Sequence, residues 1–93
     1  MGLQQVELVM NVEEEFGISI ADDVASEVRT VGEFFDVVLR LVLAAGKQQA
    51  HVRPDVEAFV WKRVCEMSAK LGSGIHPTDI TRDTRFIEDL GYG

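Results

Sequence analysis

A chain of 93 residues, 46% hydrophobic and 27% charged, has room for one domain and enough apolar side chains to close one core, which excludes a disordered segment. Its formal net charge of -7 speaks against nucleic acid as a partner, since phosphate recognition needs clustered Lys and Arg. The acidity is uneven: residues 1–45 hold nine acids against Arg29 and Arg40, whereas residues 46–93 hold seven acids and seven bases.

In chain order, Leu3, Val6, Val9, Met10, Val12 and Phe16 recur at helical spacing, with Gln4, Gln5, Glu7, Glu13 and Glu14 mainly opposite. This predicts an amphipathic helix stopped by Gly17, a residue suited to a left-handed C-cap. A short apolar connection through Ile18 and Ile20 leads to a brief helix from about Ala21 to Glu27, its acids in the first turn where the helix dipole favours them. Thr30 is a candidate N-cap and Glu33 completes a capping box for a helix running to about Ala45. Phe34, Phe35, Val37, Val38, Leu39, Leu41, Val42 and Leu43 make that helix apolar on more than one face, so it serves either a core alone or a core plus an interface.

The polar stretch from Gly46 to Arg53 is read as a linker, able to reach about 27 Å when extended. Pro54, in a helix-start position, opens a further helix to about Leu71, with Val56, Phe59, Val60, Val64, Met67 and Leu71 as its buried stripe. Gly72 to Gly74 stops it, and a long loop comes after, pinned by Ile75, Ile80, Phe86, Ile87 and Leu90. With no strand pattern of useful length, the expected fold class is all-α. Glycine-bearing ends are expected to fray, unless the Gly93 carboxylate docks beside Gly2 and Leu3.

No catalytic set emerges. Cys65, on a helix between a core and a surface position, cannot pair intramolecularly, and neither His51 nor His76 makes it a thiol nucleophile or zinc ligand by spacing. No paired carboxylates, triad or metal set appears, so an independent enzyme is not expected. The N-terminus lacks a basic leader, and Val37 to Ala45 contains Arg40 and falls far short of the roughly 20 apolar residues of a membrane span. The expected location is the cytoplasm, with neither membrane nor nucleic acid as partner.

Two segments carry a family resemblance. Ile75 to Gly93 (IHPTDITRDTRFIEDLGYG) resembles the first loop of an acyl carrier protein up to its prosthetic-group site, and Leu3 to Val38 resembles the part of the family beyond that site, notably VELVMNVEEEFG. Residues Pro54 to Leu71 resemble the family's first helix more loosely. The order is inverted, which implies a circularly permuted carrier-protein bundle: residues 1–45 as the family's second half, 46–53 as the new connection, 54–93 as the first half. The family joins a D-L-G-x-D-S-L signature to an acidic helix, and its serine carries phosphopantetheine. Asp89, Leu90 and Gly91 match the start of that signature and Leu3 its end, while Gly2 or Met1 falls where the serine would stand and Gly93 where the aspartate before it would stand.

The resemblance therefore implies a small bundle that acts as an interaction module and carries no cofactor, with a vacated site near Gly2, Leu3, Asp89, Leu90 and Gly91. The alternative is a working acyl or peptidyl carrier whose attachment serine lies among Ser19, Ser26, Ser68 and Ser73. By the same resemblance, Glu7, Met10, Glu13, Glu14 and Asp22 form a docking face for a basic patch on a partner, such as an enzyme acting on carrier-bound substrates; a solvated helix face is the other reading. The linker also permits two chains to exchange halves as a homodimer.

Overall fold

The structure, a computed structural model, describes residues 3–45, 56–72 and 74–92. It is an all-α bundle: α1 (Leu3–Phe16), α2 (Asp22–Glu27), α3 (Val31–Ala44) and α4 (Val56–Lys70), followed by a loop with one 3-10 turn at Pro77–Asp79. The linker of 46–53 and Pro54 lie outside the described residues.

The helix ends follow local chemistry. Gly17 takes φ 65° and the Ile18 amide donates back to the Glu13 carbonyl at 3.2 Å, a Schellman closure of α1. The capping box at α3 is complete: the Glu33 amide donates to Thr30 Oγ1 and the Thr30 amide to Glu33 Oε1, each at 3.2 Å.

The loop supplies what remains of that N-terminus. The Val31 amide donates to the Thr84 carbonyl at 2.8 Å and the Gly32 amide to the Arg82 carbonyl at 3.0 Å, so the first free N–H groups of α3 find backbone partners. In return the Phe86 amide donates to the Arg29 carbonyl at 3.1 Å, beside an isolated antiparallel bridge between Thr30 and Arg85. Arg82 pairs with Asp36 at 2.6 Å and lies over the Phe35 ring.

α4 packs against both α3 and α1. Phe35 meets Trp61 edge-on at 5.2 Å, and Glu15 of α1 receives two N–H groups of Arg63 in α4. Asn11 shares a surface depression with Met67 and Lys70, so α1 and α4 run antiparallel. The start of α1 thus lies at the end of the bundle where α4 finishes. Leu90 and Tyr92 dock at that same end: the Tyr92 hydroxyl donates to the Ser68 carbonyl at 2.7 Å, and the Leu90 carbonyl sits 3.3 Å from where a Cβ on Gly72 would be.

Several expected positions are corrected. On α1 the buried residues are Gln5, Leu8 and Val12, with Val9 and Phe16 packed against the core. Leu3 is 72% exposed, Met10 55% and Val6 37%, although all three belong to the apolar spacing read from the sequence. The apolar residues of α1 cover a wider arc than its neighbours can bury, and the helix settles with Leu8 inward. Ile87, expected as a pin, is 65% exposed, and Phe59 lies at the edge of the core against Phe16. Cys65 is buried, which pushes its thiol up to about 11. The expected fraying stops short of Tyr92, which is fully buried and held by its backbone amide as well as its hydroxyl.

Candidate docking surface

Val6 and Met10, two of the apolar residues that α1 leaves outside, border a groove of about 730 Å³ between α1 and α2. Val6, Val9, Met10 and Ile20 form its apolar wall, and Glu13, Asp22 and Asp23 stand on its rim; among the described residues, no Lys, Arg or His lines it. Asp22 and Asp23 occupy the first turn of α2, where their charges favour the helix dipole. Glu13 has a structural duty as well, because its Oε2 accepts the Ile20 amide at 2.7 Å and so fixes the approach to α2.

The groove gathers three of the five docking residues expected from the sequence: Met10, Glu13 and Asp22. Glu14 lies on the opposite flank of α1, in the depression shared with Glu15 and Arg63. Glu7 is exposed on α1 and lines neither. Val6 and Asp23 join the groove without having been singled out. The fold of α2 back along α1 brings Asp23 there, and sequence spacing carries no signal for that.

The residues around the D-L-G match take structural roles. Leu90 is buried and Gly91 takes φ 74°, a left-handed conformation in which glycine is unstrained. Asp89 Oδ2 accepts the Arg85 amide at 2.8 Å, and that bond, then the Arg85 side chain, holds its carboxyl below the usual range. Leu3 opens α1, exposed; Gly2 lies outside the described residues.

A phosphopantetheine arm needs an accessible hydroxyl, and the family places it at a helix N-terminus. Ser68 is fully buried near the end of α4. Ser26 sits late in α2 and donates to the Asp23 carbonyl at 3.0 Å, and Ser19 lies in the connection ahead of α2. None of the three begins a helix, so the described serines do not fit the group; Ser73 lies outside the described residues. Likewise His76 is exposed, with its Nδ1 2.8 Å from Thr78 Oγ1, and does not serve Cys65.

Comparison with known proteins relates part of the chain to carrier proteins. It is 53% identical over 36 residues to an acyl carrier protein of Porphyromonas gingivalis, covering 39% of this chain and 46% of that protein. It is 56% identical over 36 residues to an acyl carrier protein of Picosynechococcus sp., covering 39% and 44%, and 45% identical over 40 residues to the chloroplastic acyl carrier protein 1 of Spinacia oleracea, covering 43% and 29%. The chain thus spans less than half the length of these curated relatives. No family model matches it, and no solved structure does so significantly. Over that stretch the chain is similar to acyl carrier proteins, and its all-α bundle is consistent with that similarity. Among the described residues, no helix is long and apolar enough to cross a membrane.

Proposed function

We propose that this chain is an acyl-carrier-protein-like interaction module, its halves joined in the order opposite to the family's, that docks on a basic patch of a partner protein and carries no phosphopantetheine. The observation that supports docking is the α1–α2 groove, an apolar wall rimmed by acids with no base among the described residues that line it. Such a surface complements a partner that offers Lys or Arg around an apolar side chain. An enzyme acting on carrier-bound substrates is the partner class that the relatives suggest. Support for the absent cofactor is the placement of the described serines, none of which begins a helix. The permuted order is supported by the docking of Leu90 and Tyr92 at the end of the bundle where α1 begins.

The competing reading, a working acyl or peptidyl carrier, draws on the similarity to acyl carrier proteins. Incubation with coenzyme A and a phosphopantetheinyl transferase, followed by intact mass measurement, separates the two. An unchanged mass is expected, and an added phosphopantetheine mapped to any serine overturns the non-carrier reading. Exchange of halves between two chains would build the same bundle in trans, and light scattering at twice the chain mass would reveal it.

A further inference from the structure

A second surface adjoins the docking groove, and the charge it leaves uncommitted is of the opposite sign. A space of about 410 Å³ lies between the end of α2, the start of α3 and the loop, and Val28, Arg29, Phe86 and Ile87 are among the residues that line it. Ser26 lines both this space and the groove, so the two surfaces meet at the end of α2.

The charged groups around this space are not equivalent. Glu33 is committed to the N-terminus of α3, where its Oε1 accepts the Arg29 amide at 2.8 Å and the Thr30 amide at 3.2 Å. Arg85 is shared between Glu88, at 3.8 Å, and Asp89, at 3.4 Å. Arg29 is the exception. Its backbone is held on both sides, since its amide donates to Glu33 and its carbonyl accepts the Phe86 amide at 3.1 Å. Its side chain is exposed, and the guanidinium has no hydrogen bond or ion pair among the described residues.

Across the same space Ile87 is 65% exposed. A single exposed isoleucine is ordinary. Here it shares a concave surface with an uncommitted guanidinium, whose fork of five donors matches a carboxylate, and that surface continues from a groove whose rim is acidic. Apolar contacts along both surfaces, with acids offered at one end and a base at the other, suit an amphipathic helix laid across them.

We infer that Arg29 and Ile87 are the second half of the docking surface and set the direction in which a partner lies. The occupant is an amphipathic helix of the partner protein: its Lys or Arg residues face Glu13, Asp22 and Asp23, and its loop-side end brings an apolar side chain to Ile87 and an Asp or Glu to Arg29. The inference rests on the docking reading and adds an acidic determinant that a purely basic patch lacks. Opposite charges at the two ends select one orientation, because the reversed helix sets like charges together at both.

Two synthetic amphipathic helical peptides test it, alike in their Lys residues and apolar stripe, one carrying Glu and the other Gln at the same terminal position. The parent chain should bind the Glu peptide about fivefold more tightly, the upper scale of an exposed ion pair. In Arg29→Gln the two should bind alike, and in Arg29→Glu the Glu peptide should become the weaker. NMR of the parent chain gives a measurement that needs no variant to fold: a nitroxide at the Glu end of the peptide should broaden the amide signals of Ile87 and Glu88, and one at the opposite end those of Glu13 and Ile20. Equal binding of the two peptides by the parent, a preference that survives in Arg29→Gln, or broadening of both sites by either label would overturn the inference and leave the docking reading standing. Binding of neither peptide to the parent would overturn both.

Discussion

The loop of residues 75–92 and the helix α1 invert the usual association of regular structure with burial. The loop has a single 3-10 turn, yet it buries Ile80, Thr84, Phe86, Leu90 and Tyr92. α1 is regular along its length and holds Leu3, Val6 and Met10 in solvent. What orders the loop is partnership: its carbonyls cap α3, its Phe86 ring meets Phe34 of α3 edge-on and lies tilted against Tyr92, and its last hydroxyl reaches α4. Backbone regularity satisfies the amides of α1 without requiring that every apolar side chain find cover. The loop is therefore where stability should be most sensitive to mutation, and the outer face of α1 where binding should be.

The largest effect is expected at Tyr92, fully buried at the loop's end. Tyr92→Ala should destabilise by about 3 to 5 kcal/mol, the range for removing a buried aromatic ring, and Tyr92→Phe by about 1 kcal/mol for the lost hydrogen bond to Ser68. Urea denaturation of the two variants separates ring from hydroxyl; equal losses would mean that the ring contributes nothing.

Gly32 comes next. A Cβ there would stand 2.7 Å from both the Cβ and the carbonyl oxygen of Arg82 and 2.9 Å from its Cα, so backbone must shift to admit it. Gly32→Ala should cost about 1 to 3 kcal/mol, as overpacking does, despite alanine's better helix propensity. A variant as stable as the parent would show that the loop can withdraw from α3 freely. Thr30→Ala, which removes half of the capping box, should cost about 1 kcal/mol, read in the same titration.

Alkaline pH sharpens the comparison from the loop side. Burial raises the Tyr92 hydroxyl above its usual 10.0 and Cys65 from 9.0 to about 11. Both groups are favoured neutral in the folded chain, so their contribution is complete below the unfolded values and lost as pH rises through the folded ones. Stability should decline from about pH 9 upward, first through Cys65 and then through Tyr92. Tyr92→Phe should flatten the later part of that decline, and a stability curve of unchanged shape would remove Tyr92 from it.

The smallest effect on stability is expected on the outer face of α1. Met10→Ala should change stability by no more than about 0.5 kcal/mol, as exposed substitutions do. Asp22→Lys reverses a charge on the groove rim and should slow association with a basic partner, with weaker salt dependence. Titration of both variants against a basic amphipathic peptide checks this. A loss of fold in Met10→Ala, or unaltered binding in Asp22→Lys, would break the contrast between a structural loop and a binding helix.

Features that depend on residues within a turn or two were legible in the sequence by itself. The left-handed stop at Gly17, the Thr30 and Glu33 capping box, the acids opening α2 and the extent of α3 all depend on near neighbours in the chain. The charge asymmetry and the similarity to carrier proteins are properties of the string of residues and need no coordinates. Tertiary structure alone decided which way α1 faces, because a wide apolar arc fits several rotations until α2 and α4 cover one of them. It also decided that Gln5 turns inward, since its acceptors lie 20 and 23 residues further along the chain. For the same reason Tyr92 is an anchor, Ile87 is not, and Asp23 stands beside Met10: burial and proximity are set by partners distant in sequence, which local spacing does not encode.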